Sequence, residues 1–455
     1  MATTLIESTV IATFRPQLEG ELLLHGDTGY DSARRVWNGM VDRSPGCIVR
    51  CAGVADVIAA VNFARENRLD VAVRGGGHNA AGLAMCDGGI VIDLSAMRGI
   101  RVDPARKTVH AQGGVTWGDF DRDTQAFGLA ATGGAVSTTG IAGLTLGGGI
   151  GWLMRKFGLA CDNLISADIV TADGEMLVAS ETENSELFWG LRGGGGNFGI
   201  VTSFEFRLHP LDQVLGGMLV FPQQQAKEVL RTYLDVTSAA PDELTVFAGL
   251  MTSPDGVPIV GVPLCHCGTI ADGEALIRPL RDLGPVADQV GPMPYTALQS
   301  MLDPAFPSGL QVYWRSDFLS RLDDEVMDVL IDQVSRIPSP LSAVLIEQMG
   351  GAVRRVGAND TAFNHRDAAY NLAIISRWVD VSDAERQIAW TRELHDAIRP
   401  FTTGGVYVNY LGYGESVDRV REAYGPEKYQ RLVALKDKYD PTNFFRQNQN
   451  IAPSV

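Results

Sequence analysis

The hydrophobic positions in the first half of the chain shift repeatedly between the alternation typical of strands and the spacing typical of helices. Residues 46–53, 69–75, 88–95 and 107–114 are short strand-like runs, whereas residues 55–68 and 116–128 have apolar residues at helical spacing. The dipeptide Asp173–Gly174 separates two further alternating runs and predicts a hairpin over residues 165–180. Strands and helices interleaved in this way predict a mixed α/β domain.

The pattern changes from about residue 211 onward. Amphipathic helices are predicted over residues 226–239, 271–284 and 383–400, and strand-like runs lie at 243–252, 257–269, 342–351 and 370–379. This order predicts a second α+β unit in which helices cover one face of an antiparallel sheet. The other face of that sheet is then free to cover a ligand.

The bulk composition supports two soluble domains. A chain of 455 residues is too long for one ordinary core, and 45% hydrophobic with 20% charged residues is typical of globular proteins. The net charge of -16 argues against nucleic-acid and anionic membrane partners. No apolar run approaches the ~18–20 residues that span a bilayer, and the N-terminus lacks signal-peptide features, so we predict a cytoplasmic protein.

The six cysteines do not form the pattern of a disulfide framework. Cys265, His266 and Cys267 lie in one short run, but a second pair of ligands at zinc spacing is missing. We therefore predict that these three are buried strand residues and that the chain holds no metal site.

Glycine is the most unusual feature of the composition, with 51 residues, many of them clustered between positions 75 and 199. The cluster "VRGGGHN" (73–79) follows a strand-like run. Three successive glycines either make a tight turn, with His78 incidental, or let backbone N–H groups converge on a phosphate. The motif "GGGNFG" (194–199) formally matches a dinucleotide fingerprint, but a helix precedes it and a strand follows it. That reversed order argues against a nicotinamide site of the Rossmann type.

The longest glycine-rich segment covers residues 133–153. It combines three consecutive hydroxyl side chains at positions 137–139 with glycines at 140, 143, 147, 148, 149 and 151. Each glycine inside regular structure costs about 0.5–1 kcal/mol relative to alanine, so close backbone packing or a flat ligand pressed on the main chain must offset the loss. Two glycine clusters and a histidine fit a long cofactor with a phosphate middle and an aromatic end, and FAD is the candidate.

Residues 45–209 resemble the FAD-binding domain of the vanillyl-alcohol-oxidase (PCMH-type) superfamily, and more narrowly the berberine-bridge-enzyme-like oxidases and bacterial 6-hydroxy-D-nicotine oxidases. The resemblance rests on "VRGGGHN", "TTGIAGLTLGGGIGWLMRKFGLACDN", "ELFWGLRGGGGNFGIVTSFEF", "VNYLG" and the closing "YDPTNFFRQNQNI". It implies an α+β fold with an FAD-binding domain over residues 1–210, to which residues 406–455 return. Residues 211–405 would form the substrate-binding domain.

The resemblance implies a covalent bond between His78 and the 8α-methyl carbon of FAD. Many relatives add a cysteinyl bond, but Val136 occupies that cysteine's position here, so we predict a single bond. The amides of the closing segment are expected at the polar edge of the flavin, unless that segment is a frayed tail. The candidate cofactor-binding residues are Arg74, Gly75, Gly76, Gly77, His78, Asn79, Ser137, Thr138, Gly140, Gly143, Gly148, Val201, Asn448 and Asn450.

Three further residues are candidates for catalysis. Thr139 falls where the family controls access of dioxygen to the flavin, and its short polar side chain favours an oxidase. Tyr410 matches a tyrosine that acts as a base in plant relatives; its pKa would have to fall for that role, and structural packing is the alternative. Glu347 is a second candidate base, unless it forms a salt bridge with Arg354 or Arg366.

The sequence therefore predicts an FAD-dependent oxidase of a small or medium alcohol, amine or secondary metabolite, with dioxygen reduced to hydrogen peroxide. Two other activities share the same cofactor residues: an oxygenase or oxidative cyclase of a biosynthetic pathway, and a dehydrogenase with a non-oxygen acceptor. The sequence leaves a homodimer open and does not name the substrate, because the fold alone does not define function.

Overall fold

The computed structural model describes residues 6–454. Residues 1–5 and residue 455 lie outside the described part. Residues 1–5 are the start of the predicted FAD-binding domain and of the segment inspected for a signal peptide. The strands are β1 Glu21–Leu24, β2 Cys47–Arg50, β3 Val71–Arg74, β4 Ile90–Asp93, β5 Ile100–Asp103, β6 Thr108–Gln112, β7 Leu129–Ala130, β8 Leu164–Val170, β9 Met176–Ser180, β10 Ile200–Arg207, β11 His209–Pro210, β12 Gln213–Pro222, β13 Leu244–Thr252, β14 Pro258–His266, β15 Ala287–Asp288, β16 Gly291–Pro294, β17 Gln311–Leu319, β18 Ala343–Gln348 and β19 Tyr370–Trp378.

The helices begin with short segments and end with the longest one. They are α1 Ser8–Phe14, α2 Tyr30–Ala33, α3 Val54–Glu66, α4 Trp117–Gln125, α5 Ile141–Leu146, α6 Met154–Phe157, α7 Ser185–Leu191, α8 Ala226–Ala239, α9 Ile270–Arg281, α10 Tyr295–Gln299, α11 Asp324–Val334, α12 Ala352–Arg355, α13 Ala384–Ile398 and α14 Val417–Tyr439. Side-chain caps start several of them: Thr116, for example, accepts a hydrogen bond from the Asp119 N–H at the start of α4. Within residues 6–454, no helix combines the length and apolar composition needed to cross a membrane.

Two sheets form the first half of the molecule. The order in the first is β1-β2-β4-β3, with β2, β4 and β3 parallel; in the second it is β5-β6-β10-β8-β9, and all neighbours are antiparallel. Helix α3 packs on the first sheet through buried residues such as Val57 and Val61. The predicted hairpin is present as β8 and β9.

An eight-stranded antiparallel sheet dominates the second half. Its order is β15-β12-β14-β13-β18-β19-β17, with β16 also paired to β12. Helices α8, α9, α11 and α13 cover one face. Successive side chains of β18 point to opposite faces of the sheet. Val344 and Ile346 belong to the core under the helices, whereas Leu345 and Glu347 lie on the opposite face. The predicted α+β fold class is confirmed.

Four long elements were absent from the sequence prediction: strands β12 and β17 and helices α11 and α14. Strand β17 forms one edge of the eight-stranded sheet, and α14 precedes the C-terminal segment. Helix α14 is two helices joined at Gly425, which has a positive φ of 71° and is followed by Pro426. Helix α14 ends at Tyr439, and the described residues after it are irregular.

Candidate active site

A deep cleft lies between the glycine-rich segments and the face of the eight-stranded sheet that the helices leave uncovered. It contains about 1840 Å³ of empty space, part of it open to solvent. Most of the predicted site residues line it, namely Gly75, Gly76, Gly77, His78, Asn79, Thr139, Gly140, Gly143, Val201, Glu347, Tyr410 and Asn448. We call the glycine-rich side the cofactor side and the sheet side the substrate side.

Main chain forms much of the cofactor side. The loop after β3 and the segment before α5 touch backbone to backbone, because a Cβ added to Gly76 would lie 2.5 Å from the Gly140 nitrogen, and one added to Gly140 would lie 2.5 Å from the Gly76 nitrogen. At Gly143 and Gly196, which also line the cleft, an added Cβ would meet nothing within 4 Å. The glycines therefore serve both purposes considered from the sequence: some permit close packing, and others leave space beside the main chain.

His78 follows this glycine loop directly. Its imidazole stacks on the Trp37 indole, with ring centroids 4.3 Å apart and planes inclined by 16°. The Nε2 atom is buried and has no hydrogen-bond partner among residues 6–454. Burial lowers the pKa of His78 to about 4, so the ring is neutral at physiological pH and its nitrogen lone pair is available.

The C-terminal segment closes the cofactor side. Asn448 donates hydrogen bonds to the Gly196 carbonyl (3.1 Å) and the Phe445 carbonyl (2.9 Å). Its buried Oδ1 has no partner within the described part of the chain, and the same is true of Oδ1 of Asn450, although Asn450 does not line the cleft. The amide-rich segment is thus docked beside the glycine segments.

A buried ion pair fixes this docking. Lys436 and Asp440 are fully buried and 2.7 Å apart. The Lys436 ammonium also donates to the carbonyls of Asn197 and Phe445, each at 2.9 Å. Asp440 accepts the backbone N–H groups of Phe444 and Phe445. We call these two residues the tail clamp, because they tie α14, the glycine-rich segment 194–199 and the C-terminal segment together.

Glu347 and Tyr410 meet on the substrate side. The Tyr410 hydroxyl donates to Oε1 of Glu347 at 2.9 Å, and the Asn371 amide donates to Oε2 at 2.5 Å. Burial raises the pKa of Glu347 to about 7, although both hydrogen bonds oppose the rise. Burial and the neighbouring carboxylate raise the pKa of Tyr410 well above its usual value. A free tyrosinate base at Tyr410 is therefore disfavoured, and Glu347 has the pKa suited to accept a proton near neutral pH.

The salt bridge considered as the alternative for Glu347 does not form. Arg366 pairs instead with Asp162, at 2.7 Å, and both side chains are buried. Arg354 donates to the Asp367 carbonyl. The carboxylate of Glu347 thus faces the cleft with two neutral hydrogen-bond donors and no cation.

Apolar side chains surround this acid–phenol pair. They come from four strands of the eight-stranded sheet, β13, β17, β18 and β19, and from the loop between α10 and β17. Trp314 contacts Tyr410 edge to face, with centroids 5.0 Å apart. The apolar residues of the substrate side are Phe247, Leu302, Phe306, Trp314, Leu345 and Ile375.

Besides Asn450, four candidate cofactor residues lie outside the lining of the cleft. Arg74 turns its guanidinium toward the Ala33 carbonyl. Gly148 packs against the Phe363 ring, where an added Cβ would lie 2.5 Å from a ring carbon. The backbone N–H and hydroxyl of Ser137 both bind Asp303, and Thr138 is exposed at the adjoining turn. For Arg74 and Ser137, these partners outside the cleft account for the side-chain positions.

Several residues that complete the cleft were not recognised in the sequence. Asn371 is directly opposite Glu347 on β19, and Phe247 is opposite it on β13. Trp37 lies in an irregular segment before β2, far in sequence from the histidine that it covers. No short motif surrounds any of them, and only strand pairing and chain packing bring them to the site.

Comparisons with known proteins agree with this geometry. The family model described as FAD binding domain matches residues 45–180, and the one described as berberine and berberine like matches residues 406–452. An FAD-linked oxidoreductase of Dictyostelium discoideum is 35% identical over 98% of this chain and 97% of its own length. The (R)-6-hydroxynicotine oxidase of Paenarthrobacter nicotinovorans is 34% identical over 96% of this chain and 97% of its own length.

A solved structure extends the match to three dimensions. The crystal structure of 6-hydroxy-D-nicotine oxidase from Arthrobacter nicotinovorans superimposes with a TM-score of 0.89 at 32% identity, covering 96% of this chain and 98% of that one. The chain belongs to the berberine-bridge-enzyme-like family of FAD-linked oxidoreductases. The family predicted from the glycine motifs and the closing segment is confirmed.

The residues of this berberine-bridge-enzyme-like chain fit FAD. Nε2 of His78 and Oδ1 of Asn448 are buried polar atoms without partners in the described chain, and both residues line the cleft. Gly143 and Gly196 leave space that any larger side chain would occupy. Unpaired buried polar groups are costly, so a polar ligand beside them is the expected partner.

Proposed function

We propose that this protein is an oxidase that transfers a hydride from a small or medium, largely apolar alcohol or amine to a histidyl-linked FAD, which dioxygen then reoxidises. The observation that carries the proposal is the Glu347–Tyr410 pair, which faces the glycine-rich cofactor side across a single cleft. A proton acceptor and a flavin cradle on opposite sides of one substrate volume are what hydride abstraction from a C–H beside oxygen or nitrogen requires.

The chain supplies the proton acceptor. Tyr410 presents its hydroxyl to the cleft and already donates its proton toward Glu347. As the substrate loses its hydroxyl or amine proton, Tyr410 takes it and passes its own proton to the carboxylate, so no free tyrosinate forms. Asn371 holds the second carboxylate oxygen. FAD, when bound, supplies the two-electron acceptor.

The covalent attachment uses the neutral imidazole of His78. One of its nitrogens forms a bond to the 8α-methyl carbon of FAD. Attachment would remove one hydrogen from the imidazole and one from the methyl carbon, and dioxygen would receive both hydrogens and the two electrons as hydrogen peroxide. Val136 lines the cleft where doubly linked relatives carry cysteine, which supports a single bond.

The position of Thr139 supports dioxygen as the acceptor. Its short side chain lines the cleft between the two glycine segments, which leaves room for a small gas molecule. We further propose that residues 1–210 with 406–455 bind FAD and that residues 211–405 bind the substrate. In support, every strand of the eight-stranded sheet lies between Gln213 and Trp378.

Rapid-mixing spectroscopy tests this function. Anaerobic addition of an apolar alcohol or amine should bleach the flavin absorbance, and mixing the reduced protein with dioxygen should restore it much faster than free flavin and release hydrogen peroxide. Reoxidation no faster than free flavin would indicate a dehydrogenase. A persistent oxygen adduct, or oxygen incorporated into product, would indicate an oxygenase. Acid precipitation should bring the yellow colour down with the protein.

A further inference from the structure

Trp37 connects the two sides of the cleft. Its indole stacks on His78 on the cofactor side. On the substrate side, the indole N–H of Trp37 donates to the Phe306 carbonyl at 3.1 Å. The indole also contacts the Trp314 ring edge to face, with ring centroids 5.7 Å apart. Neither the candidate base nor the glycine segments explain why one buried indole should touch both sides.

The main chain around Trp37 makes the same connection. The Trp37 N–H donates to the Gly77 carbonyl at 3.0 Å, and the Gly309 N–H donates to the Trp37 carbonyl at 2.9 Å. The next residue, Asn38, is fully buried and donates to the carbonyls of Ala80 and Val312, at 2.6 and 3.0 Å. Residues 37–39, which we call the bridge, therefore hold the histidine loop against the segment 306–312.

The stack has two consequences for the imidazole. A parallel indole at van der Waals distance fixes the plane of the His78 ring, which would otherwise rotate about its side-chain bonds. It also covers one face of the ring and excludes water, which disfavours the imidazolium form. A nucleophile held in one orientation and kept neutral reacts faster than one that is free to rotate and to protonate.

We propose that Trp37 is a positioning residue for the covalent attachment of FAD to His78. The inference rests on the proposed histidyl bond, whose balance of atoms and electrons is given above and needs dioxygen as the final acceptor. Trp37 takes no part in that bond itself; it acts through the orientation of His78. FAD binding as such depends on the glycine segments and the C-terminal amides and should not require the indole.

The test compares bound and covalently attached flavin in purified holoprotein. Trp37→Met removes the aromatic ring with little loss of volume, and Trp37→Phe keeps a ring that can stack. Trp189→Leu is the control, because Trp189 is equally buried but packs under Arg431 away from the cleft. Total flavin is measured by absorbance and the attached fraction by acid precipitation.

We expect Trp37→Met to bind nearly as much FAD as the wild type, with the attached fraction reduced by about tenfold or more. Trp37→Phe should restore attachment, and Trp189→Leu should leave it unchanged. Wild-type attachment in Trp37→Met would overturn the proposal. So would the loss of all bound FAD, because Trp37 would then support the cleft as a whole. Wild-type protein without any attached flavin would show instead that the histidyl bond is wrong.

Discussion

The two sides of the cleft are built in different ways. The cofactor side includes three short glycine-rich segments, at residues 75–79, 139–143 and 195–201, in which Gly76 and Gly140 touch each other while Gly143 and Gly196 face open space. The substrate side consists of side chains from strands β13, β17, β18 and β19. A cofactor held by backbone tolerates few side chains, whereas a substrate is selected by the particular side chains that surround it.

The difference separates binding from chemistry. Changes on the substrate side should alter the rate of flavin reduction while FAD stays bound. Changes on the cofactor side should alter flavin retention or stability while the substrate-side residues remain in place. The predictions that follow test this separation.

The largest effect is expected for Glu347→Gln. Glutamine keeps the shape and can still accept from the Asn371 amide, but its NH2 group would donate to the Tyr410 oxygen and cannot take up the proton, so flavin reduction should slow by about 10²–10⁴-fold. Because burial raises the pKa of Glu347 to about 7, its carboxylate forms as pH rises through that value. The reduction rate of the wild type should therefore increase with pH, half-maximal near 7, and Glu347→Gln should lose this dependence. Stopped-flow reduction across pH measures both.

Glu186→Gln provides the matched control for this substitution. Glu186 is an exposed partner of Arg431 and lies outside the cleft, so its loss should leave reduction and its pH profile unchanged. A Glu347→Gln protein that reduces flavin at the wild-type rate would eliminate Glu347 as the base. Tyr410→Phe should also slow reduction, because it interrupts the path from substrate to carboxylate.

The second prediction concerns the tail clamp. Lys436→Met leaves the Asp440 carboxylate buried without its cation, and breaking one partner of a buried pair typically costs about 3–5 kcal/mol. The free energy of unfolding, measured by denaturant titration, should fall by that amount. The C-terminal amides should then loosen, so that any flavin not covalently attached is released more readily.

Lys438→Met separates this effect from the loss of a positive charge. Lys438 is exposed two residues along the same helix, and its removal should change stability by no more than about 0.5 kcal/mol. Equal destabilisation by both substitutions would contradict the role assigned to the clamp.

The difference between the two sides of the cleft also explains which residues could be predicted from the sequence. Glycine clusters and the closing amides are contiguous in the chain, so the FAD family, the α+β class and most cofactor-side residues could be predicted locally. Tyr410 was proposed because it lies in the family motif "VNYLG", and Glu347 because it is a carboxylate in an apolar strand-like run. Asn371 and Phe247 reach Glu347 only through strand register, and Trp37 reaches His78 only through tertiary packing. No local pattern encodes such contacts.

A third, smaller effect is expected in the bridge. Asn38→Ala would remove the bonds to the carbonyls of Ala80 and Val312 and to the Val312 N–H, all of them buried. Leaving such groups unsatisfied should lower the free energy of unfolding by about 1–3 kcal/mol. Thermal and denaturant unfolding measure the change. Asn359→Ala, at an exposed position, is the control and should leave the free energy of unfolding nearly unchanged. An equal decrease for both substitutions would contradict the role assigned to Asn38 in the bridge.

The smallest change tests the cofactor side directly. Gly143 lies in helix α5, and an added Cβ would meet nothing within 4 Å. In flavin-free protein, Gly143→Ala should therefore raise the free energy of unfolding by about 0.5–1 kcal/mol, since alanine favours the helix. The same methyl group extends into the space assigned to FAD, so FAD affinity, measured by titration, should fall. Opposite signs in the two measurements are the expected result. A stabilised protein with unchanged FAD affinity would place the cofactor away from Gly143, and the cofactor side would have to be redrawn around the loop at 75–79.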